Sequence, residues 1–289
     1  MPSHGERLRS ALASRALLPL MGVYDSYSAA LAARHFDGLF LSGFSFAAAF
    51  YGLPDEGFIT WTDLAAATQR VRSVAPSSHL LVDMDDGYGD PVVAAHAAAT
   101  FEEHGASGIV LEDQLRPKKC GHLDGKQVMD LDGYLEKLAQ VLAARRKLVV
   151  VARTDAADPD ERLRRARAFD KTDCDAILVD GLGADMNFLP VLRAAVRKPL
   201  VFNQIAGGKA APQRWSDLHR AGFSLVIHST PCLFAAHQAI EAEMQLLRER
   251  DGRFLESGNG RVGLADVNAH LQDNLAARHG RLLGNGNGR

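Results

Sequence analysis

The sequence predicts a (β/α)8 barrel of the TIM type, and three observations predict it. Eight apolar runs of strand length recur along the chain, longer helix-like segments separate them, and nearly every run ends in a polar or ionisable residue. Strands joined by helical crossovers run parallel, and eight is the number that closes such a sheet. The rival is an open doubly wound sheet. No Gly-x-Gly-x-x-Gly follows the first run, which removes that fold's commonest nucleotide fingerprint.

The predicted strands are Leu17 to Val23, Gly38 to Ser42, Leu80 to Asp83, Gly108 to Glu112, Lys147 to Arg153, Ala176 to Asp180, Leu200 to Asn203 and Ser224 to His228. Alanine-rich Pro91 to His104 and Leu131 to Arg146 read as crossover helices, and Asp90 and Asp158 stand where caps belong. Arg7 to Ser14 reads as a leading helix inside an N-terminal extension, residues 1–16. After the last barrel helix, roughly Pro231 to Arg250, come a Gly/Asn break at Ser257 to Gly260 and a final helix over Leu264 to Arg281. That helix lies in a C-terminal extension, residues 251–283, and residues 284–289 read as a disordered tail. The whole, residues 1–289, is one barrel domain with helical extensions. A helix beyond a complete barrel must bury its apolar face somewhere, and a neighbouring subunit would supply the partner.

Of 289 residues, 47% are hydrophobic and 24% charged, as in ordinary soluble domains. A net charge of -2 gives no reason to expect nucleic acid or an anionic membrane as partner. No apolar window reaches bilayer length and the amino terminus shows no signal peptide. Cys120, Cys174 and Cys232 are an odd number without metal-ligand spacing, which fits a reduced, cytoplasmic compartment. Cys174 and Cys232 lie beside apolar runs and read as core residues. Arg162, Arg164, Arg165 and Arg167 read as the wet side of an amphipathic helix.

The strand ends carry the functional reading. They are Tyr24-Asp25, Ser42-Gly43, Asp83 to Asp86, Glu112-Asp113, Arg153 to Asp155, Asp180, Asn203-Gln204 and His228-Ser229. Any one could be a helix cap, but eight together converge on one mouth. Asp83 and Asp85 alternate in an extended segment, so both should point the same way, towards Glu112 on the adjacent strand. Such an acidic cluster calls for a cation, and hard carboxylates favour Mg2+ or Mn2+. Salt bridging to barrel arginines is the structural alternative. Arg153 has the two-pronged geometry that clamps a substrate carboxylate. Six residues beyond Glu112, Lys118-Lys119-Cys120-Gly121-His122 combines a thiol with charges that favour its thiolate.

These motifs, in this order, resemble the isocitrate lyase/phosphoenolpyruvate mutase superfamily from about Leu18 to Leu247. The likeness rests on Gly22 to Asp25, Ser42 to Ser45, Gly52 to Asp55, Asp83 to Gly89, Glu112 to Gln114, Ala152 to Ala156 and, most of all, Pro117 to His122. The last segment looks like the cysteine signature of the methylisocitrate lyase and carboxyphosphonoenolpyruvate mutase branch. The resemblance implies a barrel whose eighth helix is swapped between subunits, usually in a homotetramer. It implies Mg2+ held through Asp83, Asp85 and Glu112, with Asp55 approaching the metal. Tyr24, Ser42, Gly43, Phe44 and Arg153 would hold the ligand's 2-oxo or 2-hydroxy carboxylate end. Residues from about Leu115 to Gln127 would form a gate delivering Cys120, with Lys118, Gly121 and His122 beside it.

Three positions depart from the family pattern. Asp180 replaces a usual Glu, Asn203-Gln204-Ile205-Ala206 lacks a second Glu, and His228-Ser229 stands for Tyr-Pro. Asp180, Asn203 and His228 would then line the substrate's distal end. The expected activity is a Mg2+-dependent carbon–carbon lyase. It would release a 2-oxo acid such as pyruvate from a substituted 2-hydroxy di- or tricarboxylate, with Cys120 as proton donor. The alternatives are a carboxyphosphonoenolpyruvate mutase-like enzyme, an oxaloacetate or 2-oxo acid hydrolase or decarboxylase, and a non-catalytic ligand-binding barrel.

Overall fold

Eight parallel strands close on one another in chain order, the eighth pairing with the first through Leu18 opposite Leu225 and Met21 opposite His228. The structure, a computed structural model, describes residues 2–14, 16–121, 125–182, 188–255 and 261–284, the last six as backbone only. In order the elements are α1 (His4–Ala13), β1 (Leu18–Val23), α2 (Ser26–Ala32), β2 (Gly38–Leu41), the short α3 (Gly43–Phe46), α4 (Trp61–Val74), β3 (His79–Asp83) and α5 (Pro91–Glu103). Then follow β4 (Gly108–Glu112), α6 (Leu131–Ala144), β5 (Val149–Thr154), α7 (Pro159–Asp170), β6 (Ala176–Val179) and α8 (Phe188–Ala195). The last are β7 (Leu200–Gln204), α9 (Trp215–Arg220), β8 (Phe223–His228), α10 (Pro231–Glu249) and α11 (Leu264–Gly284). All eight expected strands are present, with ends shifted by a residue or two.

The apolar residues divide into two layers because successive strand side chains face opposite ways. In β4, Ile109 and Leu111 pack under the helices, whereas Val110 joins Leu20, Phe40, Leu81, Val151, Leu178, Val201 and Ile227 inside the barrel. Leu8 and Leu12 of α1 complete that inner layer, so the leading helix plugs the end opposite the strand tips. Asp90 accepts from the Val92 and Val93 amides and Asp158 from Glu161, as expected of caps.

Two readings change. Arg165 is buried, not wet: its guanidinium meets Asp113 Oδ2 at 2.9 Å and Glu161 Oε1 at 2.6 Å, while Arg164 and Arg167 remain exposed. Asp25 is an exposed cap of α2, accepting from Ser28 N at 2.7 Å, and does not join the mouth.

Contacts divide the chain into two units, residues 1–232 and 233–289. The first holds the barrel. The second holds most of α10, none of whose residues is buried, and α11. Helix swapping is not shown. The expected Gly/Asn break and the final tail fall largely outside the described residues. Among the described residues, no helix is long and apolar enough to cross a membrane.

Candidate active site

The phase of each strand selects the residue that reaches the mouth. Two positions beyond the last inward apolar side chain stands the next inward one: Ser42 after Phe40, Asp83 after Leu81, Glu112 after Val110, Arg153 after Val151, Asp180 after Leu178, Asn203 after Val201 and Ser229 after Ile227. All seven line one cavity at the carboxyl ends of the strands, with Phe44, Asp55, Lys118, Cys120 and Gly121. The same rule removes His228, which sits in the opposite phase and accepts a hydrogen bond from Trp215 Nε1 at 2.9 Å. Its burial lowers the imidazole's pKa below the usual value. Ser229 takes the place expected of His228. Tyr24 and the Gly43 backbone are not in the lining, and His122 lies outside the described residues.

Above the mouth lies a strap, described over residues 115–121 and 125–127, joined at its base by an antiparallel bridge between Gln114 and Val128. Gln114, buried beneath it, fastens it twice: its amide donates to Lys119 O and accepts from Lys119 N, each at 2.9 Å. Arg116 grips Asp86 with two bonds of 2.8 Å. Lys126 Nζ reaches Gly121 O and also Asp155 Oδ1, the latter at 2.7 Å. With the strap seated, the cavity retains about 20 Å³ for water-sized occupants, little more than one molecule needs. Gly121 is required here: a Cβ would stand 1.8 Å from Asp180 Oδ2 and 2.4 Å from Arg153 Nη2. Gln114, Lys126 and Asp155 carry roles that residue type alone did not signal, although Gln114 and Asp155 sit in the motifs at the ends of β4 and β5 and Lys126 in the expected gate.

The electrostatics are dense. Arg153 Nη2 lies 2.9 Å from Asp180 Oδ2 and 3.1 Å from Glu112 Oε2, and its Nε lies 2.8 Å from Asp155 Oδ2. Any substrate carboxylate therefore meets a guanidinium already shared among three acids. Asn203 continues the chain, donating to Asp180 Oδ1 at 3.1 Å and accepting from Ser229 Oγ at 2.7 Å. Lys118, 2% exposed, places Nζ 2.7 Å from Asp55 Oδ1 and in direct contact with Asp85 Oδ1. Burial alone would depress the lysine, but Asp85 and Asp55 hold it charged, well above its ordinary value.

The acids respond in kind. Burial raises Asp83, raises Asp85 to about 7 and raises Glu112 well above the carboxylate range. Asp155 goes the other way: burial opposes its charge, but Arg153 and Lys126 outweigh it and hold it down.

The expected Asp83, Asp85 and Glu112 cluster needs one correction. Asp85 is not in extended backbone; β3 ends at Asp83, and Asp85 has φ +49° in the turn that follows. The carboxylates still converge, since a Cβ on Gly43 would lie 3.1 Å from Asp83 Oδ2 and 3.3 Å from Asp85 Oδ1. Among the described residues, no three acidic, His or Cys groups already form a cage for an ion. The acids are drawn onto Lys118 and Arg153, as the salt-bridge alternative anticipated.

The donor set nevertheless fits a divalent cation. Among the described residues, Asp55, Asp83, Asp85, Glu112, Asp155 and Asp180 gather around Lys118, Lys126 and Arg153, with Arg162 near Asp155 and Asp180, an excess of acid over base. Buried Glu112 Oε1 has no hydrogen-bond partner among the described residues, and an orphaned carboxylate oxygen beside two further carboxylates suits a hard ion.

The chain is similar to known proteins in sequence and fold. The family model for phosphoenolpyruvate phosphomutase matches residues 8–248. A 2-methylisocitrate lyase of Bacillus subtilis (strain 168) is 34% identical over 266 residues, covering 90% of this chain and 85% of its own. A solved 2,3-dimethylmalate lyase, a member of the same superfamily, superposes with TM-score 0.88 at 27% identity, covering 96% of this chain and 95% of its own. Phosphonopyruvate hydrolase, solved with oxalate and Mg2+, gives 0.82 at 25% identity over 98% of this chain and the whole of its own. With the matched barrel, strap and mouth all inside residues 8–248, the chain belongs to the phosphoenolpyruvate mutase family within the isocitrate lyase/phosphoenolpyruvate mutase superfamily, and it is an enzyme of that group of lyases and mutases.

Proposed function

We propose that this enzyme cleaves a carbon–carbon bond in a substituted 2-hydroxy di- or tricarboxylate and releases a 2-oxo acid such as pyruvate. One observation carries the reading: the strap brings Cys120 to the same closed cavity as Asp83, Glu112 and Arg153. Relatives named for lyase action on 2-methylisocitrate and 2,3-dimethylmalate support it.

Asp83, Asp85 and Glu112 would hold Mg2+ or Mn2+. When bound, that ion supplies positive charge for the ligand's carboxylate and 2-oxygen and for the negative charge that builds there. Arg153, fixed by Asp155, Asp180 and Glu112, orients the same end of the substrate. Ser42 lines the same cavity, and the Gly43 amide donates to Asp83 Oδ2 at 3.2 Å, which steadies that carboxylate. Towards the distal end, Phe44 and Ile205 offer apolar surface while Asp180, Asn203 and Ser229 offer hydrogen bonds. Ala206 is exposed and outside the lining, and the apolar surface of Phe44 and Ile205 suits an alkyl-branched substrate. Cys120 would deliver a proton to the carbon that loses its bond, its thiolate being restored by the proton the 2-hydroxyl gives up, and the seated strap, with Lys118, would keep water away. Substrate exceeds the room left under the strap, so the strap must lift to admit it.

Release of 2-oxo acid from 2-methylisocitrate or 2,3-dimethylmalate, followed by coupled reduction, tests the activity. Cys120→Ser should lose turnover yet keep Mg2+-dependent binding of oxalate. Formation of a carbon–phosphorus bond on a phosphonate substrate, seen by phosphorus NMR without 2-oxo acid release, would overturn the lyase reading in favour of a mutase. A homo-oligomer is proposed as well, because α10 exposes Phe234, Ile240 and Met244; light scattering measures it.

A further inference from the structure

We propose that Lys118 is the resident counter-cation of the acidic cluster, and that a divalent ion must displace it from Asp85 in order to bind. The inference rests on the metal-binding reading above and concerns how this chain controls access to that site.

The geometry carries it. Lys118 is on the strap, yet its ammonium is 2% exposed and sits between Asp55 and Asp85, touching both. Asp85 Oδ1 is thus taken by a strap residue. The oxygen that contacts Lys118 is the one converging with Asp83 Oδ2 beneath Gly43. An ion bound to that oxygen and the ammonium cannot share one site, since two cations so close repel strongly in a buried setting. Lys118 also fastens the strap: among the described residues, it is one of three strap cations held at the strand ends, with Arg116 on Asp86 and Lys126 on Asp155.

Two consequences follow. The divalent ion alone competes with Lys118, so its arrival loosens the strap that would trap it. A dianionic ligand restores the negative charge the ion has neutralised, and the ammonium then regains a reason to return. Closure therefore demands ion and diacid together, which prevents the strap from sealing over a site holding only one of them.

Calorimetric titration of chelator-stripped protein with MgCl2, without substrate, tests the idea. Lys118→Met should bind Mg2+ about tenfold tighter or more. Lys118→Arg, which keeps the competing charge, should stay near the wild type, as should Lys119→Met, whose charge lies outside the cluster. Tryptic cleavage after Lys119 or Lys126 gives a second readout. In the wild type, Mg2+ alone should speed it and Mg2+ with oxalate should slow it; in Lys118→Met, Mg2+ alone should leave it unchanged. Should Lys118→Met unfold without metal, Mg2+ should refold it, and failure to do so overturns the proposal. Equal or weaker Mg2+ affinity in Lys118→Met also overturns it while leaving the metal site standing. Absence of Mg2+ binding in every form, with or without oxalate, overturns both.

Discussion

Arg153 Nε donates to Asp155 Oδ2 at 2.8 Å, and these two residues, two apart at the end of the fifth strand, face the same way. Asp155 also receives Lys126 from the strap at 2.7 Å, so one buried carboxylate ties the Arg153 guanidinium to the strap. Asp155→Asn removes the charge but keeps the shape. We expect kcat/KM to fall about 10²-fold, because a small displacement of a clamping group is costly. Stability should fall by about 3–5 kcal/mol, as when one partner of a buried ion pair is removed. Steady-state kinetics and denaturant unfolding measure the two; a change under about twofold in kcat/KM would show that Glu112 and Asp180 suffice to hold Arg153.

Gly121→Ala tests whether the seated strap is the working state. The added methyl would overlap Asp180 and Arg153, so the strap could not reach the same depth. Turnover should drop about 10²-fold or more, whereas thermal stability should hold because the obstruction is relieved by lifting the strap. Full activity in this variant would mean that catalysis does not need the closed arrangement.

The pH dependence of stability should run opposite to that of an ordinary salt-bridged acid. Burial raises Asp85 from 3.8 to about 7 in the folded chain. The folded state therefore favours its protonated form, and the penalty for ionising it grows as pH climbs between those values. Asp113, raised to about 6, adds in the same direction. His4, lowered to about 4 by partial burial and by Arg72 and Arg7, opposes it, since the stability gained by its neutral imidazole is lost as pH falls from 6.5. Comparison with Asp85→Asn isolates the contribution. Metal-free wild type should lose more stability than the variant between about pH 5 and pH 8, and Mg2+ should recover part of it. Parallel melting profiles would refute the assignment.

His228→Gln should leave turnover within about twofold of wild type, because the ring is directed at Trp215 Nε1 and away from the cavity. Ser229→Ala, one residue on, should act on KM through the released Asn203 amide. The reverse ranking would place the eighth strand's functional group at the wrong position.

Much of the barrel was legible in the sequence, because a strand buried on both faces needs a continuous apolar run and the crossovers need caps at set distances. Asp83, Glu112, Arg153, Asp180 and Asn203 were legible as strand-end polar groups. His228 and Asp25 misled, since composition at a strand end does not reveal phase; counting two residues on from the inner apolar side chain would have selected Ser229. The buried Arg165 misled for a related reason: four arginines within six residues look solvated until Asp113 is brought beneath one of them.

By itself the sequence determined the closed eight-stranded sheet, the order in which polar residues crown it and the superfamily to which the cysteine strap belongs, all of which follow from local pattern and spacing. The tertiary structure alone decided that Lys118 fills the acidic cluster, that Arg153 is shared by three acids and that Gly121 must lack a side chain. Those contacts join residues as much as 63 positions apart, from Asp55 to Lys118, and no local pattern encodes which charge a buried carboxylate will meet when the barrel closes.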